Sequence, residues 1–98
     1  MVDFNYQQLD DIIHSRIRLA VMAILVGVEQ ANFTYLKKNV NATDGNISKH
    51  LKKLEDAGYI LVEKKFVNRK PLTSYQITDK GRRAFEIYVE RLEKFIKK

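Results

Sequence analysis

The 98-residue chain reads as a mainly α-helical domain with one small β-hairpin, an α+β fold running helix, helix, helix, hairpin, helix. Three observations predict this. Apolar residues keep helical spacing in three stretches: Ile13-Ile17-Val21-Ile24-Val28, Ile47-Leu51-Leu54 and Phe85-Tyr88-Val89-Leu92-Ile96. From Tyr59 to Ile77 the pattern alternates instead, in β-branched and aromatic runs on either side of the turn-forming Asn68-Arg69-Lys70-Pro71. Thr78-Asp79 then opens a final helical stretch with an N-cap and an acidic first turn. Hydrophobic content of 45%, with one proline and four glycines, supports a single packed domain over residues 1–98.

Residues 1–14 carry Phe4, Tyr6, Leu9, Ile12 and Ile13, consistent with a short helix having an apolar side. Leu19 to Val28 is ten residues without a polar side chain, preceded by Arg16 and Arg18. A secretory leader can have that form, but this run follows an acidic start and no small-x-small cleavage pattern closes it. It is also too short to cross a bilayer. Ser15 to Val28 therefore reads as the central buried helix, and a cytoplasmic chain with no membrane partner is expected. Thr34 is the expected N-cap of a short helix through Lys38 or Asn39, with Leu36 and Val40 inward. Asn39-Val40-Asn41-Ala42 makes a tight connection, since asparagine tolerates the left-handed conformation.

The helix spanning 43–57 carries the functional signal. Thr43 is its N-cap, Asp44 favours the positive end of the dipole, and Gly58 is its stop. Opposite the Ile47-Leu51-Leu54 stripe lie Gly45, Lys49 and Lys52, flanked by Asn46, Ser48 and Lys53. A small, polar, cationic face of this kind fits the major groove of B-DNA, where its donors reach base edges or phosphates. A solvated lysine face on an ordinary surface helix is the plainer reading. Charge distribution favours the first: residues 1–30 carry −2, residues 31–70 carry +5 and residues 71–98 carry +3, for a net +6. Basic surface concentrated in this way attracts nucleic acid.

Tyr59 to Val67 and Leu72 to Ile77 form the hairpin, with Ile60, Val62 and Phe66 on one side of the first strand. Tyr75 and Ile77 share one face of the second, opposite Ser74 and Gln76. Asn68, Arg69 and Lys70 at its tip read either as a soluble edge or as an arm reaching phosphates or a minor groove. In the last helix, expected to about Lys97, Glu90–Lys94 and Glu93–Lys97 are favourable i,i+4 pairs. Lys80, Arg82 and Arg83 are out of place, because the dipole disfavours cations in a first turn. A nearby phosphate or a carboxylate neighbour would account for them.

The strings Thr43-Asp44-Gly45-Asn46-Ile47-Ser48-x-His50-Leu51-x-x-Leu54-x-x-x-Gly58-Tyr59-Ile60 and Ile77-Thr78-x-x-Gly81-Arg82, in this order of elements, resemble the winged helix-turn-helix regulators related to the MarR and ArsR groups. The resemblance covers roughly Leu9 to Lys98. It implies that helix 43–57 enters the major groove, that the hairpin over 64–75 is the wing, and that the terminal helices, 1–14 and 79–97, build a homodimer. The dimer surface then falls on Phe4, Tyr6, Leu9, Phe85, Tyr88, Leu92, Phe95 and Ile96. The chain departs from metal-sensing members in lacking a ligand set: it has no cysteine, and its only histidines, His14 and His50, lie on different helices. His50, at the edge of the apolar stripe, is expected to be a hydrogen-bonded structural residue. No metal or cofactor is expected, no residue announces a small-molecule effector, and no nucleophile–base pair or phosphate loop suggests an enzyme. Two other functions fit the same face: an abundant architectural DNA-binding protein with little sequence preference, and a winged helix used for protein contacts.

Overall fold

The computed structural model describes residues 6–97. Helix α1 (Arg16–Val26) is followed by a short strand β1 (Ala31–Asn32), helices α2 (Phe33–Val40) and α3 (Asp44–Asp56), strands β2 (Ile60–Val67) and β3 (Lys70–Ile77), and helix α4 (Asp79–Ile96). The sheet is antiparallel in the order β1-β3-β2. Ile13, Val21, Met22, Leu25, Leu36, Ile47, Leu54 and Ile60 are fully enclosed and form one core beneath it. Of the stripes read from the sequence, Ile47-Leu51-Leu54 is buried throughout, the first contributes Ile13 and Val21 and the last only Tyr88, while Met22 and Leu25 carry the rest of the share of α1.

Several expectations are corrected. The expected helix over 1–14 has, in its described part, only one 3-10 turn at Tyr6–Gln8. The reason is local: the Asp10 carboxylate accepts from the backbone N–H groups of Ile12 (2.7 Å) and Ile13 (3.2 Å), offering the chain an alternative to a helical ladder. Phe4 lies outside the described residues, and so does the side chain of Tyr6. Asn32, not Thr34, caps α2, its side chain accepting from Tyr35 N–H at 2.8 Å. The same residue ends β1, paired with Ser74, while Ala31 pairs with Tyr75. Two residues are too few to show a period, so this strand has no sequence signature.

Helix α3 keeps its predicted frame. The Thr43 side chain accepts from Asn46 N–H at 3.2 Å, and Ile47, Leu51 and Leu54 are buried. At its end Gly58 sits at φ +79°, Gly58 N–H bonds Glu55 O (2.9 Å) and Tyr59 N–H bonds Leu54 O (3.0 Å). This paired closure satisfies the second- and third-last carbonyls of the helix and selects glycine for the left-handed residue. The exit then locks onto α4. Thr78 N–H donates to Tyr59 O (3.0 Å), Thr78 Oγ1 donates to Gly58 O (2.7 Å), and the same hydroxyl caps α4 by accepting from Gly81 N–H (2.9 Å). Helix α4 approaches so closely that a Cβ on Gly81 would stand 2.1 Å from Tyr59 O. The Gly58 and Thr78-x-x-Gly81 strings are thus two halves of one joint, which holds the start of α4 against the exit of α3.

Candidate nucleic-acid interface

Two elements carry the candidate surface, α3 and the β2–β3 hairpin. On α3 the side of Gly45, Asn46, Ser48, Lys49, Lys52 and Lys53 is exposed. Nothing lies within 4 Å of where a Gly45 side chain would begin, so no packing demand accounts for this glycine. Lys52 is held on its own helix by Asp56, Nζ to Oδ1 2.9 Å. Among the described residues Lys49 and Lys53 form no ion pair, which leaves their charges available to an outside anion. Asp44 in the first turn is neutralised by Lys37 at the end of α2, removing the one carboxylate that would repel a phosphate near Gly45.

The hairpin is tighter than expected. Val67 pairs with Lys70, so the turn is Asn68-Arg69 alone. Both have positive φ, 52° and 65°, as a type I′ turn requires. Pro71, expected in the turn, lies in β3 opposite Phe66. In an antiparallel ladder hydrogen-bonded pairs alternate, so the pair next to the turn's 67–70 pair leaves the Pro71 nitrogen on the outer side, where β1 does not reach. Lys64, Lys65, Arg69 and Lys70 are exposed around the tip, and only Lys65 has an acidic partner, Glu63 at 3.9 Å. Phe66 is 76% exposed, because the hairpin outruns the core that buries Ile60 and half-buries Val62.

Behind α3 stands a residue absent from the expected site. Arg18, 9% exposed, has no carboxylate partner among the described residues. Its Nε donates to Ile12 O at 2.5 Å and its Nη1 to His50 Nδ1 at 2.7 Å. A guanidinium only donates, so His50 Nδ1 is the acceptor and the proton is on Nε2. Burial, then the charges of Arg18, Lys49 and Lys53, hold the His50 pKa below its usual value. His50 is therefore a neutral strut tying α3 to α1 and to the segment before it. Asp10 extends that tie by accepting from Tyr59 Oη (2.5 Å), and burial, followed by this bond, pushes the Tyr59 pKa up to about 12. The sequence signal for Arg18 was a cation in a first turn without an acidic neighbour.

The cations near the start of α4, where Asp79 already stands in the first turn, also have internal explanations. Lys80 Nζ lies 5.8 Å from the centre of the Tyr59 ring, and Arg82 Nη1 donates to Val26 O, the last carbonyl of α1, at 3.5 Å. Neither a phosphate nor a carboxylate is needed for these two.

Of the residues expected at a dimer surface, Leu9 (8% exposed) and Tyr88 (3%) belong to the core of the chain itself, and Tyr88 Oη is 2.8 Å from His14 Nδ1. Phe85 and Leu92 are half-buried, whereas Phe95 and Ile96 are 45% and 68% exposed; Ile87, 39% exposed, lies on the opposite side of the helix. The apolar surface left for a partner is thus narrower than the expected set and lies toward the C-terminal half of α4.

Comparison with known proteins agrees with this geometry. Residues 17–96 match the family described as winged helix DNA-binding domain. An uncharacterized protein of Methanocaldococcus jannaschii is 42% identical over 78 residues, covering 80% of this chain and 85% of its own length. A transcriptional regulator homologue from Pyrococcus horikoshii superposes with a TM-score of 0.81 at 29% identity, covering 87% of this chain and 84% of that one. An ArsR family transcriptional regulator, RHA00566, shares the fold at a TM-score of 0.59 and 22% identity, over 89% of this chain and 86% of its own. Among the described residues no group of histidine, cysteine or carboxylate side chains could hold a metal ion, and no helix is long and apolar enough to cross a membrane.

Proposed function

The chain belongs to the winged helix DNA-binding domain family, and from that premise we propose that it regulates transcription as a homodimer on double-stranded DNA, with α3 in the major groove. The hairpin is the wing, its tip at Asn68, Arg69 and Lys70 lying on the backbone or in the minor groove. The observation that carries this reading is the pairing pattern on α3. Its buried stripe is consumed by the core, while Asn46, Ser48, Lys49 and Lys53 face outward and the two lysines have no acidic partner among the described residues. A lysine face kept for solubility alone would gain from carboxylates three or four residues away, as Lys52 does from Asp56. Partners of the opposite charge and regular groove shape are what such a surface suits.

Dimerisation is supported by Phe95 and Ile96, exposed at the C-terminal end of the apolar stripe of α4. Two copies related by a two-fold axis would read half-sites about 34–36 Å apart. The test is fluorescence anisotropy with a labelled duplex over a salt series. Lys49→Ala with Lys53→Ala should lower affinity on every sequence and reduce the salt slope by about one per lysine in each bound copy. Unchanged affinity in the double variant would remove the reading. The architectural alternative predicts equal affinity for selected and random duplexes; a regulator should favour its site by about a thousandfold or more.

A further inference from the structure

The two arginines that open α1 meet different fates. A cation in a helix's first turn is opposed by the dipole, and α1 has no acidic residue there to offset it. Arg18 turns inward to backbone carbonyls and His50. Arg16 is exposed and has no hydrogen bond or ion pair among the described residues. It lines a polar cleft between α1 and the α2–α3 turn, bounded by Ile17, Asn39, Asn41, Ala42 and Asn46. No carboxylate is among the lining residues. Asn39 is partly used, its amide donating to Tyr35 O at 2.8 Å. The side-chain amides of Asn41 and Asn46 are not. One guanidinium and two amides without partners among the described residues thus converge on one recess, and the guanidinium sets the sign of what it accepts: an anion with several acceptor oxygens.

We infer that this cleft seats a backbone phosphate of the bound duplex, on the side of α3 away from the wing. The inference rests on the proposed DNA binding and adds a contact to it. Asn46 belongs both to the cleft and to the outward face of α3, so an anion there is continuous with a duplex lying against that face. Helix α3, with 13 residues, is about 20 Å long, more than the roughly 12 Å width of the major groove. Its two ends therefore run out toward the two flanking backbones. The wing follows the C-terminal end and serves one backbone. The Arg16 cleft stands at the N-terminal end and serves the other. Asn41, at φ 53°, holds the α2–α3 turn in the shape that keeps Asn46 and Arg16 on one recess.

Anisotropy titrations of the full chain with a labelled duplex, over a salt series, test this. Arg16→Ala should weaken binding about three- to tenfold and lower the salt slope by about one per bound copy. Arg16→Lys should keep the slope. Lys94→Ala, the same charge change on the far helix, should alter neither. Neutralising single phosphates as methylphosphonates should identify one position at which wild type and Arg16→Ala bind alike, outside the positions sensitive to Arg69→Ala. Full affinity and slope in Arg16→Ala, with binding still reduced by the paired Lys49 and Lys53 changes, would overturn the cleft alone. No effect from any of these changes would overturn the DNA-binding reading itself. A sensitive phosphate shared with Arg69 would place both residues on one backbone and also overturn the inference.

Discussion

Arg69→Gly is expected to raise the stability of the fold and lower its affinity for DNA in the same variant. Arg69 is held at φ +65° in the second position of the Asn68-Arg69 turn. A residue with a Cβ loses about 1–2 kcal/mol in that left-handed region. Glycine avoids this loss but gives back about 0.5–1 kcal/mol through the greater freedom of its unfolded chain. The difference leaves a gain of about 0.5–1 kcal/mol, or roughly 2–8 °C in Tm for a domain of this size. Arg69→Ala keeps the Cβ and the strain, so its Tm should move by less than about 0.5 kcal/mol in equivalent stability. Both variants remove one cation per wing, hence two per dimer, and both should reduce the salt slope by about two. Calorimetry gives the first quantity and anisotropy the second. A lower Tm for Arg69→Gly would refute the strain assignment. Unchanged affinity in both variants would refute the wing contact, leaving the arginine in a poor conformation with no gain to offset it.

Gly81→Ala sets two effects against each other: alanine improves helix propensity by about 1 kcal/mol, but its Cβ would lie 2.1 Å from a backbone oxygen that cannot rotate away. The clash should dominate, with a net loss of about 2 kcal/mol or more in denaturant unfolding, whereas a neutral result would mean that the α3–α4 joint is slack. Because the folded-state pKa of His50 is lowered, its contribution is fully present above the unfolded value near 6.5 and is lost as pH falls through the depressed folded value. Unfolding free energies measured from pH 8 down to pH 5 should show this decline in the wild type and less of it in His50→Gln. Leu92→Glu or Phe95→Glu should shift a dimer toward monomer in sedimentation and weaken binding to a two-half-site duplex; a wild-type chain that is monomeric and binds one to one would refute the two-fold arrangement.

Much of the fold was legible because it is written in short-range terms. The stripe Ile47-Leu51-Leu54, the Thr43 and Thr78 caps and the Gly58 stop each depend on residues within four positions of one another, and the structure keeps them. The face of α3 was legible for the same reason, since a 3.6-residue period assigns Lys49 and Lys53 to the side opposite the stripe. What the tertiary structure alone decided involves partners far apart in sequence. Strand β1 exists only because β3 passes beside Ala31 and Asn32. Arg18 is buried because the carbonyl of Ile12 and the ring of His50 converge on it, and no local pattern announces that convergence. Lys80 and Arg82 looked like spare cations until Tyr59 and the end of α1 were brought to them. The Asp10 carboxylate overrode the helical pattern before α1 by bonding its own backbone. Tyr88 and Phe95 carry equally apolar signals in the sequence, yet one is enclosed and the other exposed. Periodicity gives the direction of a side chain around its helix, but how far along that helix the core extends is set by the elements packed against it.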